Sequence, residues 1–325
     1  MRHQGVMTNS LTATAAAETA RYQTVNRQLL AFYISSSLIA YFVLPILVRT
    51  VGTAWLWALL PLTLIANGYW ATLHEAIHGQ LLAGADINRR AGRTLAIFWG
   101  SSFRLLRFGH LTHHRFNRHK LDHPDTYDPA ITSRGIARLR FFAEIFGGLY
   151  VIEVITPLAY LLPRRLVARI VRGLYSGDEK PMPRLRTLAE QALVGPKGIA
   201  EIRQDALLVA LTIGLAFLAW GTFWPAFVAF LLARGLLVSF LDNVYHFHTP
   251  LDRVDYAYNL FLPRPIQALF LNMNMHRVHH LRMHLAWWQL PRQFVCEHET
   301  FDGSLLRGAM RQLKGPRSEA APPQM

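Results

Sequence analysis

Two long apolar runs near the N-terminus constrain the fold of this chain more than any other feature. Leu29–Val48 holds twenty residues and Val51–Leu73 holds twenty-three, and neither contains a charged side chain. A helix needs about 20 apolar residues to cross the hydrocarbon core of a bilayer. Only Arg49 and Thr50 separate the two runs. The pattern therefore predicts a tight transmembrane hairpin of two helices.

A second hairpin is predicted further along the chain. Ala206–Leu241 is a run of thirty-six residues whose only charge is Arg234, and the motif GTFWP, Gly221–Pro225, lies near its middle. The run is too long for one spanning helix and fits two helices of about 17 residues each. Ile145–Leu162 carries Glu153 within a shorter apolar segment, and we expect an interfacial or half-buried helix there.

Composition excludes several other classes of protein. The 325 residues are 52% hydrophobic and 17% charged, which is incompatible with a disordered chain. The single cysteine, Cys296, excludes a disulfide scaffold and a cysteine-ligated zinc or iron–sulfur module, and it favours a reduced compartment. The net charge of +14 fits an anionic membrane surface, whereas no aromatic and basic motif for nucleic acid is visible.

The distribution of basic residues predicts an orientation. The connection between the hairpins, residues 74–205, holds twenty Lys and Arg, whereas Arg49 is the only one in the turns on the opposite side. By the positive-inside rule we expect an integral protein of a bacterial inner membrane with this connection in the cytoplasm. Residues 1–27 are expected to be a mobile tail, 28–314 the membrane domain, and 315–325 a disordered tail.

Eight of the fifteen histidines fall into three clusters with helical spacing. They are His74 and His78 in HEAIH; His110, His113 and His114 in HLTHH; and His276, His279 and His280 in HRVHH. Residues three and four apart share one face of a helix, so each cluster can direct its imidazoles to one point. Eight nitrogen ligands exceed the four to six that one ion takes, which favours two metal ions.

The predicted fold is therefore an all-α integral membrane protein. Two transmembrane hairpins, about four spans, support a cytosolic helical cap that carries a histidine-rich di-metal site. The first cluster directly follows the second span and the third cluster follows the fourth, so all three emerge on one side of the bilayer.

Three alternatives compete with this interpretation. The histidines could be unrelated surface or core residues, which three clusters at repeated spacings make improbable. His74–His78 also matches HExxH, the signature of zinc proteases, but such an enzyme would leave six clustered histidines without a role. A metal transporter would carry ionisable residues inside its spans, and the only one in the four spans is Arg234.

The motifs resemble those of the membrane fatty acid desaturase superfamily, which also includes carotenoid ketolases and hydroxylases. HEAIHG, GHLTHHRFN at Gly109–Asn117 and NMHRVHHLRMHLAWWQLP at Asn274–Pro291 look like its three histidine boxes in order. The resemblance covers about residues 28 to 300. It implies a non-haem di-iron centre held by the eight clustered histidines. It also implies a ninth ligand after the fourth span, for which His246 is the first candidate and His248 the second.

The resemblance further implies an oxidoreductase that uses O₂ to act on a lipid from the bilayer. We favour desaturation of an acyl chain, with hydroxylation or ketolation of a carotenoid or other lipid as the alternative. A further site candidate is Asn243, which could contact the metal site through a water molecule. Other candidates are carboxylates that could accept hydrogen bonds from the free N–H groups of the histidine ligands. Those carboxylates are Glu75, Asp122, Asp125, Asp128 and Asp242. Of all these, Glu75, Asp125 and Asn243 are the predicted catalytic residues.

Two electrons per turnover must come from an external donor, because the sequence has no flavin, haem or iron–sulfur motif. An acidic ferredoxin or a cytochrome b5-like protein is expected to dock on a basic cluster. The cluster consists of Arg89, Arg90, Arg93, Arg104 and Arg107. Contact of these arginines with lipid headgroups is the alternative.

Overall fold

The structure is a computed structural model that describes residues 2–178 and 180–319, with side chains from residue 17 onward. Helices dominate it. The N-terminal part consists of α1 (Arg2–Leu38), a π-helical turn (Ile39–Val43), α2 (Leu44–Thr50), a 3₁₀ helix (Thr53–Ala58), α3 (Leu59–Leu64) and α4 (Ala66–His78).

The connection between the hairpins is also mostly helical. It consists of α5 (Ala85–Trp99), α6 (Phe103–Phe116), strand β1 (Thr126–Tyr127), α7 (Arg134–Ala143), a π-helical turn (Glu144–Gly148), α8 (Leu149–Ala159), α9 (Arg164–Leu174), α10 (Met182–Ala189) and a second π-helical turn (Glu190–Val194).

The second hairpin and the C-terminal part follow. They consist of α11 (Pro196–Trp220), a 3₁₀ turn (Gly221–Phe223), α12 (Trp224–Asp242), a 3₁₀ turn (Asn243–Tyr245), β2 (Leu260–Phe261), α13 (Arg264–Leu269), α14 (His276–Leu281), α15 (Leu290–Cys296), β3 (Gly303–Ser304), α16 (Leu305–Gln312) and β4 (Arg317–Ser318). The strands form two parallel pairs, β1 with β4 and β2 with β3.

Three helical stretches are long and apolar enough to cross a membrane: Ala17–Thr50, Arg134–Ala159 and Pro196–Tyr245. A fourth is counted if Thr53–Leu64 and Ala66–His78, which meet at a bend of 44°, form one span. The first stretch and the bent pair together are the first predicted hairpin. The chain is therefore an integral membrane protein built mainly from helices.

The stretch Pro196–Tyr245 is the second predicted hairpin. The rings of Trp220 and Phe227 stack at 6.0 Å across its turn. Away from the turn, both helices of this hairpin contact the connection. Ser102 donates a hydrogen bond to Asp205 of α11 at 2.8 Å, and the backbone N–H of Tyr150 donates to Ser239 of α12 at 3.1 Å. Because both ends contact the connection while the turn lies away from it, α11 and α12 run antiparallel.

The turns of the two hairpins meet on the side opposite the connection. Arg49 donates a hydrogen bond from Nη1 to the carbonyl of Ala219 at 3.2 Å, which joins the two turns. Trp55, Trp57 and Trp224 are exposed at this end of the helices. Tryptophan favours the boundary between lipid and water, so these side chains mark that boundary on the far side.

Helix α8 contacts both helices of the second hairpin. Gly147, with a φ of 113°, kinks the chain just before it. Its first turn contacts Ser239, and Arg203 donates to the carbonyl of Tyr160 at 2.8 Å just after its last turn. Ser239 and Arg203 both belong to the ends of the second hairpin that face the connection. Both ends of α8 thus contact the same side of the second hairpin, while Arg134–Ala159 is long and apolar enough to span a membrane. The interfacial position of this helix stays a prediction.

Arg234, the one charge in the second apolar run, has a structural role. Its side chain is buried and donates to the carbonyl of Trp99 at 2.9 Å and to the hydroxyl of Tyr150. Phe98 and Trp99 are the last residues of α5, whose carbonyls have no partner within the helix. The guanidinium therefore closes the end of α5, as a cation does at a helix C-terminus.

The two predicted tails differ from the structure in part. Residues 2–27 belong to α1, and Asn26 is fully buried; Met1 lies outside the described residues, and mobility of this segment stays a prediction. At the other end Arg317–Ser318 pairs with β1, and the N–H of Glu319 donates to the carbonyl of Tyr127 at 3.0 Å. Residues 320–325 of the predicted disordered tail lie outside the described part.

Replacing Arg234 by methionine tests its role at the end of α5. The carbonyls of Phe98 and Trp99 would keep the hydroxyl donors of Tyr41 and Tyr150 but lose their charged donor. A hydrogen bond from a charged group contributes about 1.5–3 kcal/mol. We expect a lower midpoint of thermal unfolding in detergent, with partial recovery in Arg234→Lys. Leu232→Met, at an exposed position of the same helix, is the control. A midpoint equal to that of the control would contradict this role.

Candidate metal centre

Four segments direct the nine predicted histidine ligands to the connection side of the hairpins. α4 ends at His78, because Gly79 adopts a left-handed φ of 84° and its N–H donates to the carbonyl of Ala76 at 3.0 Å. α6 carries the second cluster, α14 carries the third, and His246 follows the 3₁₀ turn after α12. The fold thus brings four segments that are distant in sequence together into one site.

The nine imidazoles form two groups. The first contains His74, His78, His110, His114 and His279, and the second contains His113, His246, His276 and His280. Within each group the nitrogens that could bind a metal lie within 4.8 Å of one another. Each group draws on the second and third clusters, so α6 and α14 serve both groups. Two groups of four or five nitrogens match the predicted count of two ions.

The distances between ring nitrogens suit ligands of a shared ion. In the first group, Nε2 of His110 is 2.9 Å from Nε2 of His78 and 3.0 Å from Nε2 of His114. In the second group, Nε2 of His246 is 3.2 Å from that of His113 and 3.1 Å from that of His276. Metal–imidazole bonds of about 2.1 Å place ligands about 3.0 Å apart at a right angle and about 3.4 Å apart at the tetrahedral angle. The distances fit right angles.

Many of these imidazoles are buried and neutral. His74 and His280 have no hydrogen-bond partner at either ring nitrogen. Burial lowers the pKa of His279 well below its usual value, and the neighbouring imidazoles, His74 first, lower it further. The pKa of His280 is lowered for the same reasons, with His246 as its main neighbour. Neutral imidazole is the form that binds metals, so the residues present fit a pair of metal ions.

His113 is the exception, because a carboxylate holds one of its nitrogens. Burial alone would lower the pKa of His113, but the charge of Asp122 and the hydrogen bond to it outweigh burial and raise the pKa. Nδ1 of His113 lies 2.6 Å from Oδ2 of Asp122. The contact assigns the proton to Nδ1 and leaves Nε2 facing the second group. Such carboxylate–histidine pairs fix the orientation of a ligand and raise its basicity.

His246, and not His248, stands with the other imidazoles. His248 belongs to neither group; its ring stacks on Phe247 at 3.8 Å and its backbone N–H donates to Asp125. Asp125 also accepts two hydrogen bonds from Arg118, at 2.7 and 3.1 Å, in a fully buried ion pair. Both oxygens of its carboxylate are therefore hydrogen-bonded within the protein. These contacts join Asp125 to the loop after α12, and its catalytic role stays a prediction.

The other two predicted catalytic residues lie close to the site. Glu75 accepts a hydrogen bond from the backbone N–H of Trp287 at 3.1 Å, and its Oε1 is 4.0 Å from Nδ1 of His74. It thereby ties the first cluster to the loop after α14. Asn243 lines the cavity described below, while its side-chain amide donates to Gln312 at 3.0 Å.

Three of the five arginines predicted to bind an electron donor are in ion pairs within the protein. Arg93 pairs with Asp205 at 2.5 Å, Arg104 with Glu201 at 2.5 Å, and Arg89 with Glu201 at 3.9 Å. The sequence did not reveal these acidic partners, because they lie about one hundred residues away on α11. Arg107 donates from Nε to the carbonyl of Ile77 at 3.1 Å, next to His78. The basic cluster is thus largely part of the framework.

A cavity of about 440 Å³ adjoins both groups of imidazoles. Four histidines line one end of it: His110, His113, His246 and His276. Most of its wall is apolar and comes from α6, α8 and α9, including Leu105, Leu149, Ile152, Val167, Val171 and Leu174. Ser101, Glu153 and Thr156 add polar groups to the wall. The cavity can hold an apolar chain with one part beside the imidazoles.

The segment before the first apolar run also supports the site, which the sequence did not indicate. Asn26 donates to the carbonyl of Leu81 at 2.8 Å and accepts from Nε1 of Trp287 at 2.9 Å. The ring of Tyr22 stacks on Trp288 at 4.5 Å. Residues 22–26, which we call the N-terminal clasp, thus connect the loop after His78 with the loop after His280. A single polar residue in a helix gives no sequence signal for such a contact.

The family model described as Fatty acid desaturase matches residues 50–306. The matched residues include all nine imidazoles of the two groups. No curated protein and no solved structure matches the chain.

Asn26→Leu tests the N-terminal clasp. The substitution keeps the side chain close to its original size but leaves the carbonyl of Leu81 and Nε1 of Trp287 without their partner, at about 1–3 kcal/mol for each buried group. We expect a lower thermal midpoint and weaker binding of Co²⁺ by the metal-free protein. Gln28→Leu, at an exposed position two residues later, is the control. Equal Co²⁺ affinity in the two variants would show that the clasp does not support the site.

Proposed function

This chain belongs to the fatty acid desaturase family, and from that premise we propose that it is an O₂-dependent, non-haem di-iron lipid oxidoreductase that introduces a double bond into an acyl chain. The observation that carries the proposal is the pair of imidazole groups at one end of an apolar cavity. A site of neutral nitrogens suits a metal that must remain strongly oxidising. A cavity with apolar walls suits a lipid chain.

Each group would hold one iron ion. The first would use His74, His78, His110, His114 and His279, and the second would use His113, His246, His276 and His280. When bound, the two ions would supply the reductive activation of O₂ and the removal of hydrogen from an unactivated C–H bond.

The protein's own residues orient the metal ligands and confine the substrate chain. Asp122 holds the proton on Nδ1 of His113, so that Nε2 is available as a ligand. Leu106 and Val171 belong to the apolar cavity wall, which excludes water and limits the conformations of the chain. Holding the reacting carbon at a fixed place lowers the barrier, because the entropy of positioning is lost on binding and not in the reaction step.

Hydroxylation or ketolation of a carotenoid or other lipid is the second candidate. Glu153 and Thr156 line the cavity, and the Oε2 atom of Glu153 accepts a hydrogen bond from Nε1 of Trp99 at 2.9 Å. Polar groups in an otherwise apolar wall could bind an oxygen atom on the substrate or product. Oxygenated lipids and pigments are therefore measured together with unsaturated acyl chains.

A zinc protease finds no support in the geometry. The HExxH glutamate, Glu75, is held by the N–H of Trp287, and His74 and His78 belong to a group of five imidazoles. A catalytic zinc uses three protein ligands and keeps one position open for water. A group of five convergent imidazoles does not match three ligands with one open position.

Electrons would come from an external donor, for which a ferredoxin or a cytochrome b5-like protein is the proposed class. The site would face the cytoplasm of a bacterium, with the spans in its inner membrane. The twenty Lys and Arg in residues 74–205 support this orientation, since the imidazole groups lie on that side of the hairpins.

The proposal is tested by expression in a host that lacks the activity, followed by mass spectrometry of lipids and pigments. We expect new unsaturated acyl chains, and their loss in His279→Ala. His284→Ala is the matched control, because His284 is exposed and belongs to neither group of imidazoles.

A hydroxylated lipid or a changed pigment, with acyl chains unaltered, would replace desaturation by the second candidate. Products that persist in His279→Ala would contradict the proposed site altogether.

A further inference from the structure

The surface of helix α9 has three parts: a buried apolar row, an exposed apolar row and a basic face. Val167 and Val171 are buried and line the cavity. Leu166, Ile170 and Leu174 follow one another at four-residue spacing and are 38, 40 and 63% exposed. Since residues four apart share a helix face, they form one exposed apolar row beside the buried one.

The remaining surface of α9 is basic. Arg165 and Arg169 are exposed and form no hydrogen bond or ion pair with the residues that the structure describes, while Arg172 lies 3.8 Å from Glu190. A helix with an exposed apolar row and a row of arginines is typical of one that lies in the plane of the membrane interface. Arginines in this position bind the phosphate groups of lipids.

The cavity opens beside this helix. Of the residues that line the cavity, only Gly109, Ile152, Ile170 and Leu174 are exposed. The three with side chains are aliphatic, with Ile152 on α8 and the other two on α9. These three residues, which we call the lateral mouth, line the cavity and face outward at the same time. An aliphatic rim is stable against hydrocarbon and unfavourable against water.

We propose that the substrate is a membrane phospholipid whose acyl chain enters the cavity sideways from the bilayer, through the lateral mouth. Its phosphate group stays at the interface beside Arg165 and Arg169 while the chain reaches the imidazoles. A water-soluble acyl thioester would instead need a polar rim that faces the cytoplasm. The reaction of the bound chain rests on the proposed function. Entry of the lipid does not, because it depends only on the lateral mouth.

The test measures lipid occupancy in the metal-free full-length protein, which needs no enzymatic activity. The protein is placed in bilayer discs that contain a phosphatidylglycerol with a photoreactive diazirine in mid-chain, and the labelled peptides are identified by mass spectrometry after illumination. We expect labels on the cavity-lining segments of α6 and α8. Ile170→Trp and Leu174→Trp fill the mouth and should each lower this labelling about tenfold.

Leu218→Trp is the matched control, because Leu218 is 76% exposed on α11 and does not line the cavity. Its cavity labelling should equal that of the unmodified protein. The double variant R165A/R169A should lower labelling by phosphatidylglycerol about thirtyfold, because each basic residue near the membrane contributes a factor of about five.

Equal cavity labelling in the mouth variants and in Leu218→Trp would overturn the proposed path. Stronger cavity labelling by a photoreactive acyl-coenzyme A added from water would overturn the phospholipid assignment, and unchanged labelling in R165A/R169A would overturn the headgroup contact. A protein that passes this test but forms no product in cells would leave the lateral mouth intact and refute the proposed reaction.

Discussion

The convergence of nine imidazoles is the constraint on which the rest of the structure depends. Bringing so many ring nitrogens to separations near 3 Å, with several buried and without other partners, is unfavourable unless metal ions bind them. The fold therefore has to hold α4, α6, α14 and the end of α12 on one side of the bilayer. Two hairpins achieve this, because each returns the chain to the side from which it came.

Polar contacts fix the parts of this assembly relative to one another. Inside a bilayer helices gain little from burying apolar side chains against each other, so hydrogen bonds and close packing decide how they associate. Ser102 with Asp205 joins α6 to α11, Arg234 joins α12 to α5, and Asn26 joins α1 to the loops that flank the first and third histidine clusters. The site is held by contacts between residues far apart in sequence.

The sequence predicted the features that depend on local patterns. Apolar runs of bilayer length predicted both hairpins, and i, i+3 and i+4 spacing predicted which histidines could share a helix face. These patterns do not identify the partners of individual side chains. Arg104 pairs with Glu201, 97 residues away, and Asn26 with Trp287, 261 residues away. The pairing of Asp125 with Arg118 depends on how the loop between them folds. The division of the imidazoles into two groups likewise depends on the packing of α6 against α14, which no single segment encodes.

The most direct test of the central claim is anomalous diffraction at the iron absorption edge from crystals of the protein loaded with Fe²⁺ under anaerobic conditions. The account predicts two iron peaks per chain, one among the five imidazoles that include His78 and one among the four that include His246. A single peak, or iron bound outside both groups, would contradict it.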